Sequence, residues 1–190
     1  MTRDPGWREA MRRLPTLLIP LGREIGISHL RTRVPAIIYV RAVFLSFVFL
    51  PYVFGAFLLL LGFPLGGAPF EPIEVGLAAA GLGGAVAAAR TRSRELRADD
   101  ATQAADRYVS LFFLAAALAS AGAMFGFVGV FITEELWVYL PGLIGSTLAL
   151  VWVAPTIRDV ERRQRQISLG GSMVSLVDAL LDPLPPRTKP

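Results

Sequence analysis

Four long apolar runs, parted by short polar stretches, constrain this chain of 190 residues more than any other feature. They cover residues 34–62, 73–89, 108–133 and 136–157. A helix needs about 20 mainly apolar residues to cross roughly 30 Å of hydrocarbon. Only the second run is short by that measure. None of the four shows the apolar–polar alternation of a half-buried strand. The pattern predicts an all-α polytopic membrane protein with four transmembrane helices. Composition agrees: 54% of residues are hydrophobic and only 18% charged, against about 25% charged in an ordinary soluble domain. With no cysteine and one histidine, a disulfide scaffold and a thiolate zinc or iron–sulfur site are excluded.

Charge placement predicts orientation. All 19 basic residues fall in residues 3–41, 90–107 and 158–189. The segment between the first two runs carries Glu71, with Glu74 just after it, and the turn between the last two carries Glu134 and Glu135. Basic residues near helix ends stay on the cytoplasmic side, so both termini and residues 90–107 are expected there. Of the 19, only Lys189 is lysine. Arginine over lysine, with abundant Ala, Gly, Leu and Pro, points to a GC-rich bacterial coding bias and a bacterial inner (cytoplasmic) membrane. The short, Pro-interrupted stretch at residues 14–21 does not make a signal peptide. The arginines flank apolar runs and line no face with interleaved aromatics, which argues against nucleic acid as partner.

Three domains are expected: a cytoplasmic arm (1–33), a four-helix membrane domain (34–157) and a cytoplasmic helix and tail (158–190). In the arm, Trp7, Met11, Leu14, Leu18, Leu21 and Ile25 recur at helical spacing opposite Arg8, Arg12 and Arg13. This is the pattern of an interfacial amphipathic helix with arginines among anionic lipid headgroups. Pro15 and Pro20 should divide it into two pieces. Arg41, about one turn inside the first run, is expected to snorkel to the same headgroups. Tyr39, Tyr108, Trp137, Tyr139 and Trp152 stand where interfacial anchors belong. Beyond the fourth run, Asp159–Arg163 and Glu161–Arg165 are well-oriented i,i+4 pairs. Ser172 is expected to cap a last short helix that Pro183 stops.

The runs differ in bulk. The first is rich in Phe and Leu, expected to face lipid and to kink at Pro51. The second aligns Gly76, Ala80, Gly83 and Ala87, with Gly84 beside them; the third aligns Ala115, Ala119, Gly122, Gly126 and Gly129. Lipid tails supply no hydrophobic force between helices, so association rests on close packing, which small residues permit. These stripes are the expected helix-packing sites. Gly122→Leu or Gly126→Leu should destabilise the fold or its assembly.

A Gly/Ala-rich helix, a polar cytoplasmic loop and a returning helix that reads Ala117-Leu118-Ala119-Ser120-Ala121-Gly122-Ala123-Met124-Phe125-Gly126-Phe127-Val128 make residues 73–133 resemble the helical hairpin of the rotary ATPase proteolipid, the c subunit. The resemblance implies a hairpin fold and, in that family, a mid-membrane carboxylate that binds the transported ion. Ser120 stands at that position here, and a hydroxyl does not ionise there. What is expected is a proteolipid-like protein without the coupling chemistry.

No other chemistry is legible. His29 has no second ligand at metal spacing. Ser110, Ser120 and Ser146 lack a base, the Glu134–Glu135 pair lacks histidines, and Gly66–Gly67 lacks the setting of a phosphate loop. The expectation is a non-catalytic structural or accessory membrane protein, without cofactor or metal, that packs with itself as a homo-oligomer or with a larger membrane complex. The alternative is a small oligomeric channel or transporter lined by Ser120, Ser146 or Thr147.

Overall fold

The structure is a computed structural model that describes residues 6–18, 35–66, 72–96 and 98–182, with side chains omitted at 13–18. The readings at residues 19–33, which include His29, at 67–71 and at 183–190 lie outside the described residues, as does the side chain of Arg13. The described residues form helices and no strand. In chain order these are α1 (Trp7–Leu18), α2 (Ala36–Leu60), α3 (Pro72–Ser93), α4 (Ala101–Thr133), α5 (Tyr139–Val153), α6 (Ile157–Leu169) and α7 (Leu176–Leu181). A single 3-10 turn, Leu136–Val138, leads into α5. Four helical stretches are long and apolar enough to cross a membrane: Ala36–Leu60, Pro72–Ser93, Ala101–Thr133 and Leu136–Val153.

Local chemistry sets the ends of these elements. The Asp100 side chain accepts the Gln103 N–H at 2.7 Å, and the Gln103 side chain accepts the Asp99 N–H at 3.0 Å. This reciprocal cap starts α4 seven residues before the apolar run. Its 33 residues measure about 50 Å at 1.5 Å per residue, more than the hydrocarbon thickness, so the charged first turns exceed the span. Helix α5 stops at Val153 because Pro155 disfavours helical backbone before it. Thr156 then caps α6 by accepting the Asp159 N–H. Helix α7 is capped by Ser175, not Ser172: Ser175 accepts the Asp178 N–H, and Ser172 accepts the Val174 N–H. Helix α1 runs unbroken through Pro15, so the expected division there is absent.

By packing, the chain forms two compact units that do not follow the expected arm–membrane–tail division. The first comprises the described parts of Met1–Ser46, Arg94–Phe112 and Pro155–Pro190. Here residues 36–37 and 39–44 of α2 are all buried, so this end of the first apolar run faces protein and not lipid. Trp7 meets the Phe44 ring edge-on at 6.0 Å, and Phe44 meets Phe112 at 6.3 Å. The Ala36 N–H donates to the Asp182 carbonyl at 3.0 Å. Tyr39 and Tyr108 are also buried and are packing residues, not headgroup anchors. Met11, expected on the apolar face of α1, is exposed.

The second unit comprises the described parts of Phe47–Ser93 and Phe113–Ala154. Its core gathers Leu58, Ala123, Val130, Leu136 and Tyr139, with Phe54 and Phe127 against them. Those two rings lie 4.8 Å apart. The other faces carry exposed Phe49, Val53, Leu82, Leu148 and Trp152, as a helix bundle bathed in lipid tails requires.

Candidate functional site

The second unit is organised around backbone contacts between glycines. In α4, Gly122 lies against Gly81 of α3 on one side and Gly142 of α5 on the other. A β-carbon on Gly81 would stand 2.9 Å from the Gly122 Cα, and one on Gly142 would overlap the Gly122 carbonyl. Gly84 approaches Leu118 as closely, its β-carbon position 2.7 Å from that carbonyl oxygen. Gly126 backs onto Tyr139, and Gly129 onto Leu77 and Val138. The Tyr139 ring also rests on Gly55, and its hydroxyl donates to the Pro51 carbonyl. All five members of the α4 stripe, Ala115, Ala119, Gly122, Gly126 and Gly129, are buried.

On α3 the packing face is displaced from the expected stripe. Gly76, Ala80 and Gly83 are exposed and Ala87 half-exposed. No atom lies within 4 Å of a β-carbon built on Gly76 or Gly83. Gly81 and Gly84 make the contacts instead. In a helix as rich in Gly and Ala as α3, nearly every face carries a small-residue stripe, and the facing helices decide which is used. Gly142 was missed altogether. Its signal was the small-residue series Gly142, Gly145 and Ser146 at the start of the fourth run.

The intramembrane hydroxyls are committed to backbone groups. The Ser120 hydroxyl donates to the Ala116 carbonyl at 2.9 Å. The Ser146 oxygen accepts the Ala123 N–H at 2.7 Å, an amide in the middle of α4 bonded across to α5. Thr147 donates to Leu143 at 2.8 Å, so it is Tyr52 that donates to Thr147, at 3.1 Å. Among the described residues, no three His, Cys, Asp or Glu side chains cluster as a metal site would need.

Between α3 and α5 lies a cavity of about 260 Å³ whose walls include Gly81, Gly122, Gly142 and Gly145. Glycine both brings the helices together and leaves this hollow, because it contributes no side chain to fill it. At one end stand Glu74 and Trp137. Glu74, in the first turn of α3, is 6% exposed and is the only ionisable residue on the wall. The Trp137 indole N–H donates to the Glu135 carboxylate. At the other end of α3, Arg92 is buried, not part of a solvated loop, and donates to the Ala154 carbonyl at 3.0 Å.

In the first unit, Arg41 does not reach for headgroups. It is 1% exposed, its Nε donates to the Pro155 carbonyl at 3.4 Å, and its guanidinium lies 4.9 Å from the Trp7 ring centre. The docking of α1 supplies an aromatic face, and the chain ahead of α6 a carbonyl, so the charge is satisfied within the protein. Arg8 and Arg12 are exposed, and Arg12 lies 3.8 Å from Glu9. Asp159, 3% exposed, meets Arg163 at 3.6 Å and Arg162 at 2.8 Å, and accepts the Tyr108 hydroxyl at 3.3 Å. The expected i,i+4 pair thus forms the centre of a buried network.

Against known proteins, the chain matches no family model, no curated protein and no solved structure.

Proposed function

We propose that this chain is a non-catalytic, structural or accessory protein of a bacterial cytoplasmic membrane, proteolipid-like in its central hairpin, with both termini and residues 90–107 on the cytoplasmic side. It associates through the outer small-residue stripe of α3, either with a second copy of itself or with a helix of a larger membrane complex. One observation carries this reading: on a membrane-length helix, Gly76, Ala80 and Gly83 are exposed, while the matching stripe of α4 is spent inside the chain. A groove of small residues lets another helix approach more closely than lipid tails do. The commitment of Ser120 and Ser146 to backbone partners supports a role without catalysis. The exposed Arg8 and Arg12 support contact with anionic headgroups.

Self-association is tested by disulfide cross-linking. The chain has no cysteine, so Ala80→Cys introduces a single thiol at the stripe. Leu148→Cys, on an exposed position of α5, serves as the control. An adduct of two chains is expected for Ala80→Cys well above the control. Equal yields from both positions would remove the stripe as the contact.

The channel or transporter reading keeps one supporting observation, the Glu74-bearing cavity between α3 and α5. A flux assay in proteoliposomes separates it from the accessory role.

A further inference from the structure

We propose that the cavity between α3 and α5 is a binding site for a small amphiphilic amine. The apolar body of the ligand lies against the glycine-lined wall, and its ammonium group pairs with the Glu74 carboxylate beside the Trp137 indole.

Size sets the first limit. About 260 Å³ falls just under the roughly 300–1,000 Å³ of ordinary ligand pockets, so one short chain or one ring fits and a two-chain lipid does not. Polarity sets the second. The wall is apolar apart from its Glu74 end, so a ligand without an apolar body would be desolvated for no return.

Charge sets the third. The ionisable acids and bases of the second unit among the described residues are Glu74, Glu134, Glu135, Arg90 and Arg92. The two arginines belong to the last turns of α3, about 24 Å along the helix from Glu74 at 1.5 Å per residue. The Glu74 end is therefore acidic without a basic counterpart. An anionic or phosphorylated head is repelled there and a cation is attracted. An indole adjacent to a carboxylate adds the aromatic face that ammonium groups favour. The Trp137 side chain is itself held in place by Glu135, so the head-group end is pre-formed.

The test uses the full-length chain in nanodiscs with Trp7→Phe and Trp152→Phe, which leaves Trp137 as the only indole. A bromoalkylammonium quencher is titrated against it, with the bromoalcohol of equal length as control. Saturable quenching is expected, the ammonium binding about tenfold tighter than the alcohol, as a desolvated charge contact implies. Glu74→Gln should bring the ammonium down to the level of the alcohol. Gly145→Leu should abolish binding of both without unfolding the chain, because a β-carbon there meets nothing within 4 Å and the side chain can enter the hollow. Helical circular dichroism and melting temperature check the fold of each variant. Equal affinity for ammonium and alcohol, undiminished binding in Glu74→Gln, or unchanged quenching in folded Gly145→Leu each overturns the proposal. Nanodiscs with and without an aminophospholipid identify the source: competition by the lipid supports a headgroup amine in the site, and its absence a free amphiphile.

Discussion

Gly142 and Gly122 touch backbone to backbone. A β-carbon on Gly142 would overlap the Gly122 carbonyl oxygen and stand 2.9 Å from its carbonyl carbon. Neither helix can yield alone, because Gly81 presses on Gly122 from α3. Gly142→Ala is therefore expected to destabilise the protein by about 1–3 kcal/mol, the cost of overpacking a close-fitted interior. Gly145→Ala, one turn on and in open space, should lie within about 0.5 kcal/mol of the parent, as substitutions without such contacts do. Melting in a fixed detergent compares the two.

The serines separate in the same way. Ser146→Ala removes the acceptor of the Ala123 N–H and should cost about 0.6–1.7 kcal/mol, the span measured for interhelical hydrogen bonds in membranes. Ser120→Ala removes only a bond back to its own helix and should be nearly neutral. Unequal melting shifts support the assignment; a large loss in Ser120→Ala would give that hydroxyl a role not described above.

In the first unit, Asp159→Ala strips a buried network of its acid and leaves Arg163 buried. The expected cost is about 3–5 kcal/mol, as for other broken buried pairs. Arg162→Ala removes an arginine whose side chain is 57% exposed, and should cost under about 1 kcal/mol. Chemical denaturation of the detergent-solubilised chain measures both.

The turn after α4 holds Glu134 at φ +59°, left-handed backbone that costs a residue with a β-carbon about 1–2 kcal/mol. Glu134→Gly should relieve most of that and raise the melting temperature. A fall would mean that the Glu134 side chain holds the turn.

The four spans and the Asp159–Arg163 pair were legible because hydropathy and i,i+4 spacing are properties of one segment. The start of α4 was also written locally, in Asp100 and Gln103, but the apolar run overshadowed it. The fate of Arg41 was not legible, since Trp7 and the Pro155 carbonyl reach it only through tertiary packing. The same holds for α3. Its sequence offers small residues on several faces, and what selects Gly81 over Gly83 is Gly122, 41 positions further on. Glu74 was visible as an acidic residue at a helix mouth, but the hollow behind it depends on Gly142 and Gly145 in another helix.

The account rests on α3 having two small faces, an inner one that holds the chain together and an outer one that meets a neighbour. Native mass spectrometry from nanodiscs, on the parent chain and on Gly83→Leu, tests this most directly. The parent should leave the disc as more than one copy or with a bound membrane partner, and Gly83→Leu as a single chain with an unchanged melting temperature. A parent that emerges alone, or a Gly83→Leu variant with the copy number of the parent, would contradict it.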